Sequence, residues 1–493
     1  MTTSQSSTVV GTELKRELGL FDAVMINAGT MIASAIFIVP ATVAAAVQGT
    51  AVMTLVWVIG GVVSLLGALS VAELAAAYPE AGGQYAYLRE AYGTVWAFLY
   101  GWSNFSVINT ASITAIAVGF ARYIGFFTPL SESATRIIAI LSIIGLTLLN
   151  CRGVRLGATT QNVLTTLKIG ALVALIVTSF VIPGGSVSHF QPLWPSGSVG
   201  AGGGGGHWIG AFGVAMVAVL WAYDGWIETT YVGSEIMNPG RNLPRSIILS
   251  TVMVMVLFVL ASVAFAYVLG ASAMATSALV ASDAAKVTMG AVGATLVVAA
   301  ILISTLGANN GIILTAARIP YAMARQGVFF RAQGLVHPRY GTPIVALVTQ
   351  GVIACVLTLV PRCVFGLCSP RPLYDQLATY VVFAQFVFYA LSAGAVIRLR
   401  RTAPQLERPY RTWGYPVTPI VFILFAIWLV ANTIVETPKD SAIGAGLILL
   451  GLPGYFYWRR AVTGGAKGLP VDSSSTLPTT AESAAPKRRA SAP

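Results

Sequence analysis

Twelve stretches of the chain are almost wholly apolar, near residues 20–47, 51–78, 93–126, 136–151, 158–182, 208–236, 246–270, 286–322, 343–361, 373–398, 416–435 and 441–458. About 20 apolar residues in helical form cross the hydrocarbon of a bilayer, so each stretch predicts a spanning helix. No charge occurs between Asp22 and Glu73, which leaves room for the first two spans. The first apolar stretch begins near Leu18, is followed by many more, and so reads as a true span and not a cleaved signal. Twelve is an even number, which puts both termini on one side.

The polar interruptions divide the chain. Residues 1–17 form a polar cytoplasmic lead, and 183–207 are charge-free and rich in Gly, Ser and Pro, as an external linker would be. After Arg460 the chain turns Ser/Thr/Ala/Pro-rich and ends in PKRRASAP, so 461–493 is expected to be a disordered cytoplasmic tail. The linker leaves two groups of five helices, 18–182 and 208–400, with 401–460 supplying two more. An odd number per group inverts the second group relative to the first, a plan shared by many secondary transporters.

The first helix of each group is interrupted at a matching place. Gly29-Thr30-Met31-Ile32-Ala33-Ser34-Ala35 breaks the first, and Trp221-Ala222-Tyr223-Asp224-Gly225-Trp226 the sixth. Paired breaks of this kind point to a binding site near the midplane. Gly29 and Ala33, spaced i, i+4, are equally a small-residue packing face. Asp224 is harder to explain by packing, because an acid inside the bilayer is expensive.

Composition agrees with this reading. The 493 residues are 56% hydrophobic and 9% charged, with a mean hydropathy of +0.78, whereas a soluble domain carries about 25% charged residues. The net charge of +12 does not indicate nucleic acid, because Lys and Arg fall in short loops. Arg152 with Arg155, Arg241 with Arg245, Arg325 to Arg339 and Arg398 to Arg411 all lie on the side assigned to the cytoplasm. That side takes about 22 of the 29 basic residues, as the positive-inside rule requires.

Cys151 and Cys355 lie in or beside spans as small hydrophobes. Cys363 and Cys368 share a loop placed outside, where a disulfide is open to them. The three histidines, His189, His207 and His337, fall in expected loops without metal-ligand clustering, so neither a metal, a cofactor nor an enzyme is indicated. An ion channel would show rings of polar pore residues, which are not evident. An amino acid-sensing receptor would need a signalling domain, and the termini are short and of low complexity.

Four segments together carry a family resemblance. TMIASAIFIVPA of the first helix resembles the broken-helix element of the amino acid–polyamine–organocation superfamily, and AELAAAYPEAGGQYAYLREAYG (72–93) its motif after the second helix. WAYDGWIETTYVGSEIMNPGRNLPRSI (221–247) and LERPYRTWGYP (406–416) resemble its L-type amino acid transporter branch. The resemblance runs from about 18 to 435. It implies an all-α polytopic membrane protein of twelve helices, a leucine-transporter-like five-plus-five inverted repeat plus two extra helices. Ala33 and Ala35 replace usual glycines, which stiffens the first break. The loop GFFTPLSESATR lacks the cysteine by which some relatives join a heavy chain, so a stand-alone permease of prokaryotic type is expected in the cell's inner membrane.

The resemblance also implies a site. An amino acid's carboxylate would meet the backbone N–H groups of Ser34, Ala35 and Ile36 and the Ser34 hydroxyl, aided by the helix dipole. Its ammonium would meet the carbonyl of Ile32 and those around Trp221 and Asp224. Trp221 matches the aromatic that closes over substrate in relatives, although a packing tryptophan would look the same. Gln385 and Phe386 are candidates for the cavity wall and equally for packing. Lys168 lies 13 residues past Arg155, about 20 Å along a helix, too deep to reach the inner face easily. In the family a lysine here reaches between the first and eighth helices, where sodium sits in sodium-coupled relatives, and Ser304 matches the facing position. A lysine that merely ties helices together is the plainer alternative. Glu73, Glu228 and Glu235 lie near the cytoplasmic ends of their helices or close to loop arginines and are expected to form gating or structural pairs, not substrate contacts. The resulting expectation is a secondary amino acid transporter, a sodium-independent antiporter or proton-linked permease, for neutral and cationic substrates, with its oligomeric state open.

Overall fold

The computed structural model describes residues 13–195, 207–359, 363–364, 367–368 and 373–463. Helix follows helix: α1 (Leu20–Met31), α2 (Ala35–Val47), α3 (Thr50–Ala77), α4 (Gln84–Tyr92), α5 (Thr94–Ser103), α6 (Asn109–Ile124), α7 (Glu132–Cys151) and α8 (Val154–Val181). The second half contains α9 (His207–Tyr223), α10 (Glu228–Tyr231), α11 (Pro239–Thr276), α12 (Val280–Ala316), α13 (Arg318–Arg325) and α14 (Ile344–Leu359). α15 (Leu373–Thr402), α16 (Val417–Glu436), α17 (Pro438–Leu449) and α18 (Gly451–Thr463) complete it. Among the described residues the only strands are two residues long, pairing Cys363 opposite Cys368. The side chains of those cysteines, like the tail after Thr463, lie outside the described residues.

Among the described residues nine helical stretches are long and apolar enough to span a bilayer, and the bent pair α1–α2 makes a tenth. The shorter apolar helices Gly210–Tyr223 and Ile344–Leu359 match the remaining two predicted spans. The fold is thus all-α and polytopic. Outer faces are apolar: Ile137, Leu141, Ile144 and Leu148 recur along one exposed face of α7, as lipid contact demands.

Several predicted single helices are interrupted. A π-helical turn, Asn104–Ile108, joins α5 to α6. Gly270 in α11 and Gly290 in α12 have positive φ and kink those helices. The 183–195 part of the linker is also anchored. Ser186 donates its N–H to Tyr267 O at 3.0 Å, and Pro192 and Leu193 carbonyls accept from Thr50 and Ala51. These bonds serve the orphan donors at the start of α3.

The core gathers around the helix breaks. α1 packs between α8, α11 and α12, and α2 lies against α9 and α11. Trp57, Tyr223 and Phe258, all buried, meet with ring centroids 5.2–6.0 Å apart. They tie α3, α9 and α11 together beside the second break.

Candidate functional site

α1 and α2 diverge by 42° at Ile32–Ser34. The break is shorter than the Gly29–Ala35 span the sequence indicates. Gly29 remains helical because it is used for contact: a Cβ there would collide with Gln161 Nε2 and Thr165 Oγ1 of α8. At the break Ile32 leaves helical geometry with φ −78° and ψ 76°. Ala35 and Ile36 open α2, so their N–H groups have no carbonyl of their own helix to pair with and sit at its positive dipole end. Ser34 precedes them, buried, and its carbonyl accepts from Phe37 N–H at 3.1 Å.

The second break follows Tyr223, where Asp224–Ile227 form a turn before the single-turn α10. Gly225 has φ +111°, and a Cβ there would come within 2.8 Å of Thr30 Oγ1 and 3.1 Å of Met31 N. Both the conformation and the space require glycine. The breaks are fastened to each other: Thr30 Oγ1 is 3.3 Å from Gly225 O, and Thr229 N–H donates to Asn27 Oδ1 at 2.8 Å.

Asp224 is half-buried and its Oδ1 accepts from the Tyr389 hydroxyl at 2.7 Å. Tyr389 in turn accepts from Gln385 Nε2 at 2.7 Å. Gln385 Oε1 is buried without a protein partner, which leaves one open acceptor in this chain of polar groups. Trp221 lies partly buried in the last turn of α9 and packs against the core. Phe386 turns instead toward Phe422 of α16, with ring centroids 6.3 Å apart. It touches the polar chain through its edge contact with Tyr389.

Lys168 is buried on α8 and its Nζ donates to three carbonyls, Gly29 O at 2.6 Å, Ile32 O at 2.9 Å and Ser304 O at 3.1 Å. Ser304 Oγ also donates to Ile32 O at 2.8 Å. An ammonium has three donors, so this set satisfies it in full. The structure therefore brings Lys168, Ile32 and Ser304 together at the end of α1.

Of the three acids expected to form gating or structural pairs, two pair with arginine. Glu73 receives Arg400 at 2.6 Å and Arg408 at 3.2 Å, and Glu235 receives Arg318 in a buried two-point contact at 2.7 and 3.0 Å. Glu228 does not: its Oε2 is hydrogen-bonded to Thr315 Oγ1, because α10 turns it toward α12 and away from the loops. Sequence reasoning also missed Tyr389 and Asn27, and took Thr30 as part of the first break without a role of its own. The last two are polar positions inside an apolar run and carried a usable signal, whereas Tyr389 looks like any other aromatic of its helix. A further amide chain, Asn150 to Asn310 to Gln161, links α7, α12 and α8 at 2.9 Å per step. No group of three or more metal-ligating side chains occurs among the described residues.

An apolar helical bundle whose two broken helices meet at a polar centre is the architecture of a secondary transporter. Residues 18–457 match the family described as amino acid permease. The chain is 30% identical over 463 residues to b(0,+)-type amino acid transporter 1 of Mus musculus, covering 92% of this chain and 90% of that protein. It is 29% identical over 450 residues to the serine/threonine exchanger SteT of Bacillus subtilis (strain 168), covering 91% and 98%. Large neutral amino acids transporter small subunit 2 of Homo sapiens is 30% identical over 473 residues, covering 91% and 82%. The chain belongs to the amino acid permease family and is an amino acid transporter.

Proposed function

We propose that this permease is a sodium-independent transporter of neutral and cationic L-amino acids that works by alternating access, as an antiporter or a proton-linked carrier. The observation that carries the reading is the ammonium of Lys168 held by Gly29, Ile32 and Ser304 carbonyls. A mobile sodium ion bridging the same carbonyls would be redundant there and would face a like charge at a few ångströms. Substrate carboxylate would bind at the N–H groups of Ser34, Ala35 and Ile36, and its ammonium at the Ile32 carbonyl and those around Trp221 and Asp224. Trp221 would cover the substrate. Asp224, with the open acceptor of Gln385 nearby, supports recognition of a cationic side chain.

The two five-helix groups, 18–182 and 208–400, would rock as inverted repeats about this centre, with 401–460 beside them and both termini cytoplasmic in the inner membrane. The absence of a cysteine between Gly125 and Arg136 supports a stand-alone protein. The name of the Bacillus relative, an exchanger, supports antiport. The test is uptake of labelled amino acids into liposomes containing the purified protein. Replacing sodium with choline is expected to leave uptake intact, and sodium-dependent uptake would refute the reading.

A further inference from the structure

Glu228 is a buried acid, 5% exposed, that the proposed cycle does not use. Its single described hydrogen bond joins Oε2 to Thr315 Oγ1. Thr315 has one hydroxyl proton, and that oxygen also lies 2.9 Å from Gly311 O and 3.3 Å from Ile312 O of its own helix. If the proton serves those carbonyls, the bond to Glu228 has to be supplied from the glutamic acid side. If the proton goes to Glu228 instead, a buried carboxylate is left with one neutral donor, far less than a buried charge requires.

Among the described residues the neighbouring elements offer Glu228 no uncommitted cation close by. α9 and its turn offer Asp224, a second acid. α5 and α10 offer the hydroxyls of Tyr100 and Tyr231, which bond each other at 3.0 Å. On α12 the charged groups, Asp283 and Lys286, sit near its start, whereas Thr315 sits near its end. On α11, Arg241 and Arg245 are exposed. Arg318 of α13 is held by Glu235. On α1, Asp22 takes Gly19 N–H and Asn162 Nδ2. The donors of Lys168 are already spent on three carbonyls.

We propose that Glu228 is a proton-binding site of the transport cycle. It is a neutral carboxylic acid donating to Thr315 in the conformation described here. It gives up its proton to water when α10 withdraws from α12, and it must recover one before the two helices close again. This rests on the alternating-access reading above. Its sign is fixed by the geometry: the closed arrangement needs the protonated form, so high pH empties that arrangement and slows exchange.

The experiment uses the full-length protein in liposomes. Wild-type exchange is expected to fall at least about tenfold between about pH 6 and pH 9, and Glu228→Gln, which fixes a neutral side chain, to vary less than about twofold over that range. Exchange by the wild type at low pH establishes transport separately, so failure of this proposal is distinguishable from failure of the functional reading. Infrared difference spectra of wild type minus E228Q at neutral pH provide a second readout. They should show the carbonyl stretch of a protonated acid, retained in Asp224→Asn. A wild-type pH profile that is flat or is kept by E228Q overturns the proposal. So does the absence of the protonated-acid band, which is decisive even if the variant is poorly active.

Discussion

Lys168 and Asp224 are two isolated charges in apolar surroundings, and each has found neutral partners in place of a counter-ion. That is why both could be picked out of the sequence: a lone charge in a long apolar run has few structural excuses. Of their partners, Ile32 and Ser304 were expected through the family resemblance, whereas the Gly29 carbonyl and Tyr389, one aromatic among many, were not. Removing Lys168 strands the Gly29 carbonyl, at about 1–3 kcal/mol for a buried group left unpaired, while Ile32 O keeps its bond from Ser304 Oγ. Lys168→Ala should therefore lose both exchange and thermal stability, read by uptake and by melting in detergent. If Trp221 covers the substrate, Trp221→Ala should weaken apparent affinity roughly 5- to 150-fold, or about 1–3 kcal/mol, without loss of folded protein. Uptake kinetics in a well-folded mutant provide the check. Asp224→Asn keeps the Tyr389 hydrogen bond but removes the charge, so inhibition of neutral uptake by Lys, Arg or Orn should vanish while neutral transport persists. Competition assays on both proteins decide this.

At the scale of elements, both broken helices were legible because each combines small or glycine residues with a polar position in mid-span. The extent of the first break was not. Gly29 reads either as a helix breaker or as a packing glycine, and its neighbours Gln161 and Thr165 on another helix decide for contact. Gly29→Ala should force α1 from α8 and cost about 1–3 kcal/mol, the usual penalty of overpacking. Gly119→Ala makes a control, because a Cβ at that position meets nothing within 4 Å. Melting temperatures of the two variants should separate clearly, with Gly119→Ala close to wild type. The π-helical turn at Asn104–Ile108 and the kinks at Gly270 and Gly290 were invisible in the pattern, since apolar periodicity changes little across one irregular turn.

For the whole molecule, the count of spans and the basic loops were legible, since bilayer thickness and charge placement impose them on any chain of this kind. The pairings that close the loop ends needed three dimensions. Glu235 and Arg318 are both fully buried, so Glu235→Gln leaves a guanidinium uncompensated. A loss of about 3–5 kcal/mol is expected, visible as lower expression and melting temperature. The fixed ammonium of Lys168 has a consequence for the cell. A cation that is part of the polypeptide cannot be left on either side of the membrane, so it brings no energy from an ion gradient into the cycle. If the cycle is a strict one-for-one exchange, it draws every amino acid it handles toward a common inside-to-outside concentration ratio. Such an exchanger would change the composition of the intracellular pool and leave its size to other carriers.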